Sequence, residues 1–532
     1  MSAASDAGNQ QEVGDRMGAN ELYGSGSFGD LIVSALARFP ERIAFVNGPD
    51  KVTYRQAQEA ISRLVQWFAA KGLKRGDTVV QLCRNSPEQW FIVAAIYIAG
   101  LRSVTLNPMG SRDDHVFIIN DSEATIVVTD NSYAEQMAEY RRQCPQVSAW
   151  YCHGQGDHLP CLWTEADKFT PRRLQSLSGP EDIIRLAYTG GTTGRSKGAM
   201  LSNRAMVTAA MVSLADSDWP ENPRVLCVTP ISHGAGNLIV PALFRGGTIF
   251  LHKGFDKDAF LNAVREDKIS VIFCVPTLLY TLLDYPKTRE SDLSSLRLVI
   301  YGAAPMSPTR IKEALEVFGP VLCQRYGQTE APSSICNLRI VDHKRPELLS
   351  SCGRPFPGLQ VAILDDNGER VAQGGIGEVC VRGPIVMSGY WKQPEMTAEV
   401  FRNGWLHTGD MAREDEQGYF FIVDRKKDMI ITGGFNVYPR EVEDVLTACP
   451  GVAAAAVVGV ADPKWGEAVI AFVQPRPGMQ IDDAVLKKLV RERKGPVNTP
   501  KHIELVDKMP VTALGKPDKK QLRAMYKAPA GE

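Results

Sequence analysis

Four apolar, β-competent runs, Ile183 to Thr189, Arg224 to Thr229, Ser270 to Val275 and Leu296 to Ala303, are each followed by a segment able to form a helix. Repetition of that unit confines the chain to layered α/β architectures. Parallel strands need long crossover connections, and those crossovers cover the faces of the sheet. The same alternation runs upstream, where helix-like stretches Phe28 to Phe39, Tyr54 to Lys71 and Ser86 to Gly100 are interleaved with β-rich Asp77 to Leu82 and Ala124 to Thr129. A chain of 532 residues is too long for one ordinary core, so two or more domains are expected.

The texture changes near residue 350. From there to about 424 short β-runs are separated by glycines, with a turn at Asp365 to Gly368 and the glycine-rich run Gln373 to Gly377, which reads as a smaller β subdomain. A basic stretch, Arg425, Lys426 and Lys427, then opens about a hundred residues with β-runs (Ala453 to Val460, Ala468 to Val473) and amphipathic helices (Arg440 to Ala448, Asp482 to Arg493). The expected organisation is a disordered polar tail over 1–25, an α/β N-terminal domain over 26–424 that includes the β subdomain, and a small mobile α+β lid over 425–532.

A formal charge of -1 gives no global field that would favour nucleic acid or an anionic surface. Eleven cysteines are scattered singly, without a CxxC pair or a Cys/His cluster at metal-ligand spacing, so reduced thiols are expected. The polar start lacks the basic and apolar regions of a secretory signal. Trp90 to Leu101, the longest apolar stretch, is about half of the ~20 residues needed to span a bilayer and reads as a buried helix. Together these point to a cytoplasmic protein, a monomer or homodimer with no transmembrane segment and no nucleic-acid partner.

Chemistry concentrates first at Tyr188 to Gly198. Here Gly190, Gly191 and Gly194 allow close backbone approach, Thr189, Thr192 and Thr193 supply hydroxyl donors, and Lys197 supplies charge. Placed after a strand and ahead of a helix, such a loop is built to hold a polyphosphate. It is not a Walker A loop: counting from Gly191, Ser196 stands where the second glycine is required and Gly198 follows the lysine.

The loop resembles the signature of the acyl-adenylate-forming superfamily, YTSGTTGxPKG, departing from it at Gly190 and Ser196. Further motifs follow in the family's order, so the resemblance covers about residues 28 to 525. Gly302, Ala303, Ala304 and Pro305 resemble the adenine-binding turn. In Tyr326, Gly327, Gln328, Thr329 and Glu330, the resemblance implies a tyrosine stacked on adenine, a threonine on the α-phosphate and a carboxylate for Mg²⁺. Asp410 matches the aspartate that accepts from the ribose hydroxyls, Arg425 the second ribose or phosphate contact, and Lys427 the hinge. Lys516, in the motif beginning at Pro510, matches the lysine that reaches into the adenylation site. Gly433 and Gly434 match the segment beside the pantetheine channel. The acyl pocket is implied to include His233 as a gate, with Gly234, Ala235 and Gly236 small enough to leave a wide or deep cavity.

The resemblance therefore implies ATP, Mg²⁺ and coenzyme A as reactants and cofactors, and an enzyme that activates a carboxylic acid as acyl-AMP and transfers the acyl group to CoA. The small residues favour medium or long acyl chains, or bulky aromatic or alicyclic acids. A stand-alone adenylation enzyme that loads a carrier protein would share every ATP motif, as would a luciferase-like oxygenase. The lack of a fused carrier segment favours CoA.

Overall fold

Local signals start the first helices. Ser27 Oγ accepts from the Asp30 N–H while the Asp30 carboxylate accepts from the Ser27 N–H, a capping box that opens helix Phe28–Ala37. Thr53 and Gln56 repeat the device at helix Tyr54–Ala70, and Ser86 with Pro87 at the first position opens helix Pro87–Ile98. Each cap is worth about 1 kcal/mol. Pro87–Ile98 is buried on nearly all sides, with Tyr97 edge-on to Phe28 and Trp90 and Phe91 against Phe45. Among the described residues no helix is long and apolar enough to cross a membrane.

The computed structural model describes residues 26–154, 158–189, 196–463, 465–512 and 516–526, apart from the side chain of Ser333. The expected tail over 1–25 and the loop residues Gly190, Gly191, Thr192, Thr193 and Gly194 lie outside the described residues. A nine-stranded sheet has a parallel centre: Leu322–Gln328, Leu298–Gly302, Val271–Cys274, Arg224–Cys227, Thr248–Leu251 and Ile43–Asn47 in that spatial order. Antiparallel strands close both of its edges. A second, six-stranded sheet is parallel except for Lys197–Ser202 at its edge. Of the four strand–helix runs that define the class, three fall in the larger sheet and Ile183–Thr189 in the smaller.

One expectation about that run is corrected. Ile183–Thr189 is followed not by a helix but by strand Lys197–Ser202, which folds back on it with Thr189 opposite Lys197. Helix Asn203–Asp216 begins only after that strand, with Ser202 as its cap. Six strand residues put the helix start about 20 Å from the loop, beyond the reach of a helix dipole, which fades within one turn. That helix therefore adds no dipole at the end of the loop.

An antiparallel five-stranded sheet runs from Gln360–Leu364 to Phe420–Arg425. The chain ends in a smaller unit, where strands Val452–Asp462 and Gly466–Pro475 pair over their whole length and helices Pro439–Thr447, Asp483–Lys494 and Lys519–Met525 complete the fold. Two arginines of this unit reach back to the larger part. Arg476 Nη2 pairs with Glu313 Oε1 at 2.6 Å, and Arg440 Nη1 donates to the Ile422 carbonyl at 2.9 Å. These contacts set where the end of the chain docks.

Candidate active site

A cavity of about 830 Å³ opens where the carboxyl ends of strands from both α/β sheets converge, the place where open α/β sheets commonly bind ligands. Val228 and Thr229 follow strand Arg224–Cys227, Ala303 follows Leu298–Gly302, and Thr329 follows Leu322–Gln328; all four line the cavity. Arg185, Ala187 and Tyr188 enter from the smaller sheet, and Lys516 from the C-terminal unit. The charged lining is one-sided: Arg84, Arg185, Lys253, Arg325 and Lys516 face it, and no Asp or Glu lines it among the described residues. Such a wall selects anionic ligands.

Ala303 adopts φ +67°, a left-handed conformation that costs an alanine about 1 kcal/mol or more. It turns the chain sharply as the strand ends. Gly302, just before it, lies so close to the neighbouring strand that a β-carbon would collide with the Arg325 carbonyl oxygen. Of the four residues of this turn only Ala303 lines the cavity; Ala304 is half-buried and Pro305 exposed. Gly327 and Thr329 line it as well.

Around Asp410 the donors converge. The Tyr326 hydroxyl donates to Oδ2 at 2.7 Å, and Arg425 Nε lies 3.3 Å from Oδ1, held there because Asp410 and Arg425 are register partners on adjacent strands. The preceding Gly409 N–H donates to buried Glu378 at 2.9 Å. Glu330 is anchored by Tyr390, whose hydroxyl donates to Oε1 at 2.6 Å, while Lys197 Nζ sits 4.9 Å from the Tyr390 ring centre. Residues Lys197 and Glu330, distant in sequence, thus share one aromatic support.

Lys516 is half-buried, and the Thr512 N–H donates to its carbonyl at 2.7 Å. Burial pulls its ammonium down to about 8; the Arg425 and Lys427 cations add to that, and Asp410 opposes it. Lys427 is lowered in the same direction, by burial first and then by Arg425. Burial, with Arg185 nearby, pulls His233 down to about 4, so the imidazole is neutral at pH 7 and its Nδ1 meets Ser232 Oγ at 2.8 Å.

The four acyl-pocket positions separate on inspection. His233 and Gly234 line the cavity, whereas Ala235 and Gly236 do not. A β-carbon on Gly234 would lie 2.8 Å from the Phe273 ring, so the room it leaves is already filled by that ring. Gly236 is required by the backbone: a β-carbon there would overlap the Ile231 carbonyl oxygen. Gly236→Ala is therefore expected to destabilise the protein by about 2 kcal/mol or more, read as a lower unfolding midpoint. Gly234→Ala, by displacing only a ring edge, is expected to fold and to shift the preferred length of the ligand; equal melting of the two variants contradicts this contrast.

Gly433 (φ +58°) and Gly434 (φ +82°) form the two-residue turn between strands Ile430–Thr432 and Phe435–Val437, a geometry that favours glycine at both places. They are exposed and do not line the cavity in this arrangement. Three residues missed in the sequence complete the site. Arg185 was visible as the one charge in strand Ile183–Thr189 and Glu378 as a carboxylate in strand Gly377–Arg382, but Tyr390 carries no signal in spacing or composition.

The profile of the AMP-binding enzyme family matches residues 33–391, and that of the AMP-binding enzyme C-terminal domain matches residues 441–516. Medium/long-chain-fatty-acid–CoA ligase FadD8 of Mycobacterium tuberculosis is 41% identical over 518 residues, covering 94% of this chain and 90% of the relative. Feruloyl-CoA synthase of an Amycolatopsis species is 36% identical, covering 92% of this chain and 96% of the relative. Among solved structures, the amide bond synthetase McbA from Marinactinospora thermotolerans superposes with a TM-score of 0.87 at 35% identity, over 94% of this chain and 100% of the other.

Proposed function

The chain belongs to the AMP-binding enzyme family, and from that premise we propose that it is an acid–CoA ligase for medium or long acyl chains or bulky aromatic or alicyclic acids, acting through an acyl-AMP intermediate. The observation that carries this reading is the entry of Lys516 into the cavity that also holds Thr329, Ala303 and His233. ATP and the acid meet there.

In the first half-reaction an acid carboxylate oxygen bonds to the α-phosphorus of ATP and the bond to the β-phosphate bridge breaks, giving acyl-AMP and pyrophosphate. A carboxylic acid with a pKa of about 4 arrives ionised, so no general base and no protein nucleophile are needed. What the step needs is alignment and stabilisation of charge on the phosphorus oxygens. Lys516, Thr329, Thr189 and Lys197 provide donors for that purpose, with Gly190, Gly191, Thr192, Thr193 and Gly194 assigned to the same polyphosphate. Ala303 and Gly327, which line the cavity, border the adenine, with Gly302, Ala304, Pro305 and Tyr326 assigned to the same two motifs, and Asp410 with Arg425 takes the ribose.

Magnesium suits this donor set. The ion travels on polyphosphate and takes only one or two protein carboxylates. Glu330 is the carboxylate beside Thr329, and no cluster of three or more metal-ligating side chains exists among the described residues. When bound, the ion would neutralise phosphate charge, and Glu330, steadied by Tyr390, would hold it.

In the second half-reaction the CoA sulfur bonds to the acyl carbon, the bond to the AMP oxygen breaks, and the thiol proton leaves to solvent. His233, at about 4, is too weakly basic to take it efficiently at neutral pH. We assign it to the pocket wall, with Gly433 and Gly434 brought to the pantetheine arm after the C-terminal unit turns about Lys427. Likeness to an amide bond synthetase favours one second reading, in which an amine takes the acyl group.

Incubation of a panel of acids with ATP, with and without CoA, tests the proposal. Acid-dependent pyrophosphate release and thioester formation on adding CoA support it; an amide formed from an added amine, without thioester, supports the second reading; no acid-dependent pyrophosphate rules out both. The pH response is a separate check. Because Lys516 loses its proton above about 8 in the free protein, kcat/KM for ATP in CoA-free pyrophosphate exchange is expected to fall as pH rises through 8. Bound phosphates raise the lysine again, so kcat should hold to higher pH. A flat kcat/KM profile to pH 10 contradicts the role given to Lys516.

A further inference from the structure

Arg185 is an unusual wall for an apolar substrate. It lies on strand Ile183–Thr189, and its guanidinium donates to the Ser232 carbonyl at 2.6 Å and meets the buried Tyr97 hydroxyl. These partners are all neutral, and the cavity wall offers no carboxylate among the described residues. A guanidinium is charged at every working pH and carries five donors. Holding one against a half-buried cavity without a counter-charge is costly, and an acceptor brought in by the ligand removes that cost.

Position decides which ligand group this is. Arg185 is four residues before Thr189, about 13 Å along the strand from where the phosphate loop leaves it. The charged groups that act on Lys516 are Arg425, Lys427 and Asp410, whereas the one that acts on His233 is Arg185. Both line the one cavity, Lys516 with the Asp410 cluster and Arg185 with His233, which the reading above assigns to the acyl-pocket wall. The reacting carboxylate belongs with Thr329 and Lys516, which leaves Arg185 facing the remote part of the acid.

We infer that the physiological acid carries an oxygen acceptor, a hydroxyl, carbonyl or second carboxylate, at its end remote from the activated carboxyl, and that Arg185 reads it. This rests on the acid-activating reading above and narrows its substrate class. Acids with an oxygenated tail or ring are preferred over plain hydrocarbon acids of equal size.

The test compares acids that differ only in one remote oxygen group, in CoA-free pyrophosphate exchange: decanoate with ω-hydroxydecanoate and decanedioate, and cinnamate with para-hydroxycinnamate. In at least one pair the oxygenated acid should show a kcat/KM higher by about tenfold or more. Arg185→Met should erase that preference by lowering kcat/KM for the oxygenated member about tenfold more than for its plain partner. Arg185→Gln, which keeps a donor for the Ser232 carbonyl, should do the same if the methionine variant fails to fold. The hydroxy and dicarboxylic arms distinguish a neutral acceptor from a second charge. Exchange with plain acids but no preference in any pair overturns the inference alone, as does an equal loss for both members in the glutamine variant. No exchange with any acid overturns the parent reading with it.

Discussion

Lys516→Ala is expected to slow CoA-free, acid-dependent pyrophosphate exchange by about 10²- to 10³-fold, the scale on which removal of one preorganised transition-state donor acts. Thioester formation from supplied acyl-AMP should stay within a few-fold of the unaltered protein. The asymmetry follows from position: Lys516 is seated in the cavity beside Arg425, Lys427 and Asp410, where the proposed reading brings its charge to the phosphate. Once acyl-AMP exists, no step needs that charge. Stopped-flow or quench measurement of the two half-reactions separates them, and equal losses in both would remove the assignment.

Lys427→Pro should give the opposite pattern, with adenylation largely kept and thioester formation lowered by about a hundredfold if rotation sets the second step. Lys427 is the second residue after strand Phe420–Arg425, inside a turn that the Asp428 and Met429 N–H groups close by donating to the Arg425 carbonyl. In the arrangement seen here Arg476 is paired with Glu313 and Arg440 with the Ile422 carbonyl. Both contacts must be released for the C-terminal unit to turn, and a fixed φ at 427 restricts the path. Normal overall turnover in this variant would refute the hinge.

What was legible in the sequence follows the range of the forces involved. Capping pairs such as Ser27 with Asp30 and Thr53 with Gln56 act over three residues, so the first helices begin where their side chains say. The fate of Lys197–Ser202 depends on pairing with Ile183–Thr189, a partner that strand-forming tendency alone does not name, and the helix expected there is displaced. Gly234 and Gly236 look alike in sequence but answer different constraints, one facing the Phe273 ring and the other a carbonyl oxygen. The Asp410 cluster was readable as a set of motifs, yet its bonds to Tyr326 and Arg425 exist only because three strands meet. Arg185 stood in plain view as a charge within a β-run and still required the cavity to give it meaning.

The central claim is that an acid oxygen becomes bonded to the α-phosphorus of ATP. Acid labelled with ¹⁸O in its carboxyl group, turned over with ATP and CoA, tests it by mass spectrometry of the nucleotide product. Attack at the α-phosphorus predicts AMP carrying one labelled oxygen, with pyrophosphate unlabelled. Label in inorganic phosphate alongside ADP, or AMP free of label, would contradict it.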